Sequence, residues 1–399
     1  MTSSLSIPRL YARIARWALK LGALALAAAV AACDVALAPG GPSGPRLDTS
    51  APVPVALLVP GSAGDPGDAA VSRSLENAAR LAIADLDGVA VDLTVYPTGG
   101  TASGAQGAAQ QAAADGAAIL LGPLYAEAAN AAGLTVASQG LNVLAFSNNS
   151  AIAGGNVFIL GNTFESIARR LTSYAARNGA GDLLVAHANT TAELAGRDAI
   201  LNAASATRAN VVGTVSFELT EAGIRGAAPQ IASQVQATGA DGIFFTSSNS
   251  GAMAFLPQFL GEQGIRPSTT QYIGLTRLDI PSEALSQPGL QGAWLALPDP
   301  GLVTNFRSRY NAAYGSAPHP LAGLAYDGIA AIGALAAQGR ADALSRANLT
   351  TGSGFVGVNG IFRFNSDGTN DRGYAVGQIR NNQVAVIDPA PRRFGGAGF

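Results

Sequence analysis

Two histidines are the candidates for a general base, and neither stands in a catalytic context. His187 lies inside the apolar segment 183–188, which favours a buried strand position. His319 lies between Pro318 and Pro320, a loop context in which an exposed or packing role is expected. Neither histidine has a partner at metal-ligand spacing, and the sequence contains no H-E-x-x-H motif. The histidines therefore predict neither a metal centre nor an acid–base enzyme.

Lysine and nucleotide chemistry are excluded on similar grounds. Lys20 is the sole lysine and precedes the segments that could fold, whereas a P-loop, a Schiff base or an S-x-x-K hydrolase needs a lysine in the folded body. The segment Gly352–Gly357 matches G-x-G-x-x-G, but the alternating segment 360–364 that follows predicts a strand where a dinucleotide site requires a helix. We expect a turn there, no cofactor and no enzymatic activity.

The composition indicates a folded chain of about two domains. Hydrophobic residues make up 48% of the 399 residues and charged residues 13%, which is the opposite of a disordered composition. The net charge of −2 gives no electrostatic support for binding to nucleic acid.

Residues 1–32 have the pattern of a secretory signal peptide. Basic residues precede the apolar run 21–32, which is too short to cross the ~30 Å hydrocarbon core as a helix. The sequence Val30-Ala-Ala-Cys33 resembles a bacterial lipobox, and Cys33 is the only cysteine. We expect cleavage before Cys33, lipidation of its thiol, a Pro/Gly tether over 33–52, and a periplasmic protein that contacts the membrane through this anchor alone.

From residue 53 onward, apolar segments typical of buried strands alternate with segments of helical spacing. The first run predicts strands at 53–59, 89–96, 117–121 and 143–146. A second run predicts strands at 183–188, 211–217, 242–246 and 271–274. Strands separated by helices favour parallel sheets with right-handed crossovers. The sequence therefore predicts an α/β protein with two lobes, each a parallel sheet flanked by helices.

Five segments occur in an order that resembles a known family. They are Leu121–Leu124, Asn142–Asn149, Gly239–Phe245, Gly323–Ile329 and Gly357–Gly368. In this order they resemble the leucine/isoleucine/valine-binding family of type I periplasmic binding proteins, including the branch of penicillin-binding protein activator lipoproteins. The resemblance implies a two-lobe fold with three interlobe crossovers. Its implied boundaries are 53–162 plus 293–345 for lobe one, and 163–292 plus 346–399 for lobe two.

The resemblance also implies a ligand site between the lobes, at the carboxyl ends of parallel strands, in agreement with the general rule for open α/β sheets. The residues expected to bind ligand are Tyr125, Ser147, Asn148 and Asn149 in lobe one, and Thr190, Ser247, Ser248 and Thr276 in lobe two. We expect Ser147, Asn148 and Asn149 to face Ser247, Ser248 and Thr276 across a cleft. Ala195-Gly196 stands where the amino-acid binders of this family carry Tyr-Gly.

Two functions follow from this resemblance. The first is a non-enzymatic, lipid-anchored binding protein that captures an amino acid or similar small polar molecule for an ABC permease. The alternative is a lipoprotein that activates a penicillin-binding protein and so regulates peptidoglycan synthesis. Neither function involves a metal, a cofactor or nucleic acid.

Overall fold

The computed structural model describes residues 44–61 and 65–395, and its first sheet contains five parallel strands. These strands are β1 (Val53–Val59), β2 (Val91–Pro97), β3 (Ile119–Leu121), β4 (Asn142–Ala145) and β5 (Val157–Ile159). The helices that connect β1 to β4 are α1 (Pro66–Ala84), α2 (Ala102–Ala114) and α3 (Ala126–Val136). The order across the sheet is β2-β1-β3-β4-β5, and the four predicted strands are confirmed.

The sequence of β1 explains why this sheet has helices on both faces. Successive side chains of a strand point to opposite faces. Val55 and Leu57 pack into one core with α1, whereas Ala56 and Leu58 pack into a second core with α2 and α3. All four side chains are at most 2% exposed, so both faces must be covered. This arrangement is typical of a parallel sheet.

The second sheet contains seven strands and is mixed. Its strands are β6 (Asp182–Ala188), β7 (Asn210–Phe217), β8 (Gly242–Phe245), β9 (Gln271–Gly274), β10 (Trp294–Leu297), β14 (Ala375–Arg380) and β15 (Gln383–Asp388). The helices of this part are α4 (Phe164–Arg177), α5 (Thr191–Ala206), α6 (Glu221–Thr238) and α7 (Leu256–Glu262). The order is β15-β14-β10-β9-β8-β6-β7. The strands β14 and β15 pair antiparallel, so this sheet is parallel only from β10 to β7.

The remaining elements pack beside the first sheet. They are α8 (Pro300–Tyr314), α9 (Ala322–Ala336), α10 (Arg346–Leu349) and a small antiparallel sheet of β11 (Phe355–Gly357), β12 (Gly360–Phe364) and β13 (Asn370–Arg372). Short 3-10 turns occupy 137–139, 150–152, 252–254, 282–286 and 288–290. Each helix within the described ranges is too short or too polar to span a lipid bilayer.

The sheets divide the chain at different points from those expected from the sequence. The segment 294–297 was expected in lobe one, but as β10 it pairs with β9 and β14 of the second sheet. The segment 355–364 was expected in lobe two, but Phe355, Phe362 and Phe364 are buried in the same core as β1. From here on, lobe one denotes the first sheet with α1–α3, α8–α10 and β11–β13, and lobe two denotes the second sheet with α4–α7.

The chain passes between the lobes three times, at residues 160–163, 298–299 and 373–374. β5 ends in lobe one at Ile159, and α4 begins at Phe164 and packs against β6 of lobe two. Because α4 leads through a short loop into β6, helix and strand run in opposite directions. The start of α4 therefore lies at the carboxyl end of β6. The carboxyl ends of the parallel strands in both lobes consequently lie on the side where the chain crosses.

Hydrogen bonds join the first and third crossovers. The Tyr374 hydroxyl donates to Asn162 Oδ1 at 3.0 Å, and Asn370 Nδ2 donates to the carbonyls of Ile159 and Gly161 at 2.8 Å each. The Ser166 hydroxyl, at the start of α4, donates to the Asn370 carbonyl at 2.9 Å. These bonds hold the connecting strands side by side, which is the arrangement expected of a hinge that pivots as one unit.

Candidate functional site

The carboxyl edge of lobe one carries a paired phenol and carboxylate. Tyr125 precedes α3 directly after β3 and is 42% exposed. Its hydroxyl donates a hydrogen bond to Asp68 Oδ1, in the first turn of α1. This hydrogen bond is the main reason that the pKa of Tyr125 rises to about 12. Tyr125 therefore stays a neutral donor, and its ring forms an exposed wall at this edge.

The loop after β4 carries the three residues predicted from the sequence. Ser147 is 4% exposed, and its hydroxyl oxygen accepts a hydrogen bond from the Asn149 N–H at 3.1 Å. Asn149 Oδ1 accepts from the Ala151 N–H at 3.0 Å and caps the following turn. Asn148 is exposed, and its amide makes no hydrogen bond within the part of the chain that the structure describes. Asn148 is thus the member of this loop with both a donor and an acceptor to offer a ligand.

The carboxyl edge of lobe two is organised around Glu193, which was not among the ligand-binding residues expected from the sequence. Glu193 Oε2 accepts hydrogen bonds from the Ala188 N–H at 2.6 Å, the Thr246 hydroxyl at 2.9 Å and the Ser247 hydroxyl at 2.6 Å. Thr190 caps α5 by accepting from the Glu193 N–H at 3.3 Å. The spacing Thr190-x-x-Glu193 is that of a capping box and was the available signal. Here the carboxylate reaches the ends of two strands instead of the cap N–H.

The other predicted residues of lobe two lie beside this carboxylate. The Thr276 hydroxyl, after β9, donates to the Ser247 carbonyl at 3.1 Å. Ser248 is half-buried, and its hydroxyl makes no hydrogen bond within the described ranges. The next residue, Asn249, donates to the carbonyls of Leu278 and Ile280 at 2.7 and 3.1 Å, which ties the loop after β8 to the loop after β9.

The structure thus groups the predicted residues within each lobe. Ser147, Asn148 and Asn149 form one loop, with Tyr125 at the end of the neighbouring strand. The lobe-two residues Thr190, Ser247, Ser248 and Thr276 follow strands that are neighbours in the sheet order. Whether the two groups contact one ligand stays a prediction.

The two histidines make contacts with the backbone around them. His187 is 3% exposed, and its Nδ1 lies 3.2 Å from the Ala188 carbonyl oxygen, so it occupies a strand position in the core. His319 accepts a hydrogen bond from the Leu321 N–H at 3.2 Å, and burial lowers the pKa of its imidazole. Residues 352–357 lead into the strands β11 and β12, so the expected turn is confirmed and no helix follows the glycine motif.

No group of three or more His, Cys, Asp or Glu side chains within the described residues is placed to hold a metal ion. The candidate residues named above carry hydroxyls, amides and a carboxylate. Such groups orient small polar molecules at the mouth of a parallel sheet.

The comparison with protein families decides the classification. A family model described as periplasmic binding protein matches residues 52–383, which is most of the chain. The chain belongs to the periplasmic binding protein family. This confirms the resemblance drawn from the sequence motifs and the expected α/β architecture of two lobes. Membership of this family places the protein in the periplasm. No curated protein matches the chain in sequence.

Solved structures share the fold of this periplasmic binding protein at low sequence identity. A structure from Rhodospirillum rubrum, assigned to a branched-chain amino acid ABC transporter, is 19% identical with a TM-score of 0.71, covering 84% of this chain and 100% of its own. An ABC transporter substrate-binding protein from Desulfitobacterium hafniense, in complex with Leu, is 18% identical with a TM-score of 0.62 and coverages of 84% and 100%.

A third structure has an aromatic ligand. It is a solute-binding protein of an ABC transporter from R. palustris in complex with benzoate, 18% identical with a TM-score of 0.56, covering 86% of this chain and 98% of its own. At these identities the likeness concerns the fold of this periplasmic binding protein.

Proposed function

We propose that this protein is a non-enzymatic, lipid-anchored solute-binding protein that captures an amino acid or similar small polar ligand between its lobes for an ABC importer. The observation that carries the proposal is the placement of free polar groups at both carboxyl edges, on the side where the chain crosses between lobes. Within the part of the chain that the structure describes, the Asn148 amide and the Ser248 hydroxyl have no hydrogen-bond partner. The family and the transport proteins among the solved structures support this function over the penicillin-binding protein activator.

A ligand screen with the Asn148→Ala variant tests the proposal. A compound that binds only the folded state raises the temperature of unfolding by mass action. We expect at least one member of a panel of amino acids, amides, amines, aromatic acids and short peptides to raise it. Loss of one hydrogen bond to a bound ligand costs about 1–3 kcal/mol, so Asn148→Ala should raise the Kd of that compound about tenfold or more.

The matched control is Asn202→Ala, which removes an exposed amide near the C-terminal end of α5, away from the strand-end loops. It should leave the Kd unchanged, and neither variant should lower the unfolding temperature without ligand. A panel in which no compound raises the unfolding temperature would contradict the proposed function. An unchanged Kd in Asn148→Ala would place the ligand away from this loop.

The lipid anchor rests on the sequence, because Cys33 lies outside the described residues. We expect Cys33→Ala to abolish incorporation of a fatty-acid analogue and to yield a soluble or unprocessed product. Stable anchoring needs more than one acyl chain, which the bacterial di- or triacyl modification of cysteine supplies. Metabolic labelling followed by membrane fractionation measures both effects. Equal labelling of Cys33→Ala and the unchanged protein would exclude lipidation at this residue.

A further inference from the structure

The segment that follows β15 runs from lobe two back to lobe one. β15 ends at Asp388, paired with β14 in the second sheet. Pro391 then lies beside the third crossover, since a Cβ placed on Gly373 would be 3.1 Å from both Pro391 Cγ and the Pro391 carbonyl oxygen. Phe394 reaches β12 of lobe one. Residues 389–395 are called the C-terminal strap from here on.

Phe394, near the end of the strap, is held by lobe one. The guanidinium carbon of Arg363 in β12 lies 4.6 Å from the centroid of the Phe394 ring, a cation–π contact. Gly354, at the entry to β11, leaves room for the ring, because a Cβ on it would lie 2.5 Å from Phe394 Cε2. Any larger residue at position 354 would displace the ring.

Arg363 is itself fixed by a charge network that joins the lobes. Its Nε and Nη2 donate to Asp371 Oδ2 at 3.0 and 2.8 Å. Asp371, in β13 of lobe one, also pairs through Oδ1 with Arg169 of α4 in lobe two. Because the Asp371 side chain is 6% exposed, solvent screens these pairs less than it screens surface pairs. The ring of Phe394 therefore lies on a guanidinium whose position depends on both lobes.

Arg170, the next residue of α4, holds the other end of the strap. Its side chain is 2% exposed, and its Nη2 donates to Asp388 Oδ2 at 2.9 Å and to the Pro389 carbonyl at 3.4 Å. Its Nε donates to the Tyr374 carbonyl at 2.7 Å, in the third crossover. The strap is thus fixed to lobe two where it begins and to lobe one where it ends.

Two prolines stiffen the strap between these ends. Pro389 and Pro391 each hold the backbone φ at about −65°, and proline-rich segments act as semi-rigid spacers. A stiff segment transmits a displacement of one end to the other, whereas a flexible segment absorbs it. Rotation of the lobes about the crossovers therefore pulls on the contact between Phe394 and lobe one.

We propose that the C-terminal strap is a conformational restraint, which limits the rotation of the lobes while Phe394 is docked on lobe one. Docking of the ring stabilises those lobe arrangements in which Arg363 and Gly354 lie within its reach. The populations of other arrangements fall accordingly. The restraint acts on the hinge itself, so it holds whether or not a ligand is bound.

A distance measurement without any added compound tests the restraint. Spin labels at Ser103 in α2 and Thr191 in α5, in a Cys33→Ala background, report the separation of the lobes, and both positions are exposed. We expect Phe394→Ala to broaden the distance distribution and to add distances that the unchanged strap does not allow. The control Phe255→Ala removes an exposed ring at the start of α7 in lobe two, and should leave the distribution unchanged.

A double variant, Pro389→Gly with Pro391→Gly, keeps Phe394 and makes the strap flexible. It should broaden the distribution as well. An unchanged distribution in folded Phe394→Ala would overturn the proposal even if the unfolding temperature fell, because the ring would then stabilise lobe one without restraining the hinge. Should Phe394→Ala fail to fold, the double variant decides in the same way. Equal broadening in Phe255→Ala would also contradict a restraint located in the strap.

Discussion

Asp327→Asn is expected to lower the free energy of unfolding by about 3–5 kcal/mol, because it leaves a buried guanidinium without its counter-charge. Asp327 and Arg372 are joined at 2.9 Å with side chains 0% and 2% exposed. Arg372 also donates to the Leu160 carbonyl, where the first crossover begins. Urea denaturation followed by circular dichroism measures the loss.

Asp327 also holds the turn between β11 and β12. Its Oδ1 accepts from the Val358 N–H at 2.8 Å, and Asn359 Nδ2 donates to its Oδ2 at 3.0 Å. A Cβ on Gly357 would lie 2.0 Å from Asp327 Oδ1, so this carboxylate can approach the strand because residue 357 is glycine. Asp327 therefore joins the motif 323–329 to the motif 357–368.

The control for this prediction is Glu76→Gln, which breaks an exposed ion pair with Arg80 one helical turn away on α1. Such pairs contribute about 0.3–0.5 kcal/mol, so this variant should unfold almost as the unchanged protein does. The double variant Asp327→Leu with Arg372→Met should lose less stability than the two single changes together. A loss below about 1 kcal/mol in Asp327→Asn would show that another group compensates Arg372.

Phe364→Ala is expected to cost about 3–5 kcal/mol, and to destabilise lobe one rather than lobe two. Phe364 is 1% exposed and packs edge-to-face on Phe158 and Phe362, with ring centroids 5.6 and 5.8 Å apart. Phe158 belongs to β5 of the first sheet. Hydrogen exchange read by mass spectrometry should therefore show faster exchange in β1 and β4, with β8 unchanged.

Phe245→Ala is the matched control in the core of lobe two. Phe245 is 1% exposed and packs edge-to-face on Tyr272 at 5.1 Å. This change should accelerate exchange in β8 and β9 and spare β1. If Phe364→Ala accelerated exchange mainly in β8, residues 346–399 would unfold together with lobe two. That result would agree with the lobe boundaries expected from the sequence.

The strands β1–β4 and β6–β9 could be predicted from the sequence because their residues carry a local signal. A buried parallel strand such as β1 is a continuous apolar run, and such a run does not depend on its partner. Which strand it pairs with, however, depends on the tertiary structure. The segment Trp294–Leu297 was expected in lobe one, and nothing within it distinguishes pairing with β9 from membership of the first sheet. The lobe boundaries of the structure therefore differ from the expected ones.

The strand-end positions of the candidate residues could be predicted from the sequence, but their contacts could not. Parallel strands end at one edge, so Ser147 and Ser247 could be placed at strand ends from the alternation of elements alone. The contact between Glu193 and Ser247 was not predicted, because it joins residues that are far apart in the sequence. The pairing of Asp68 with Tyr125 depends on the same kind of long-range contact.

A small ligand that binds between the two lobes should draw them together, and a distance measurement across the cleft tests this most directly. In a Cys33→Ala background, spin labels at Ser103 in α2 and Thr191 in α5, both exposed, report the separation of the two carboxyl edges. We expect a saturating amount of the panel compound that most raises the unfolding temperature to shift the label distances to shorter values, because the lobes close on the ligand by a hinge motion. An unchanged distance distribution at saturation would contradict binding between the lobes.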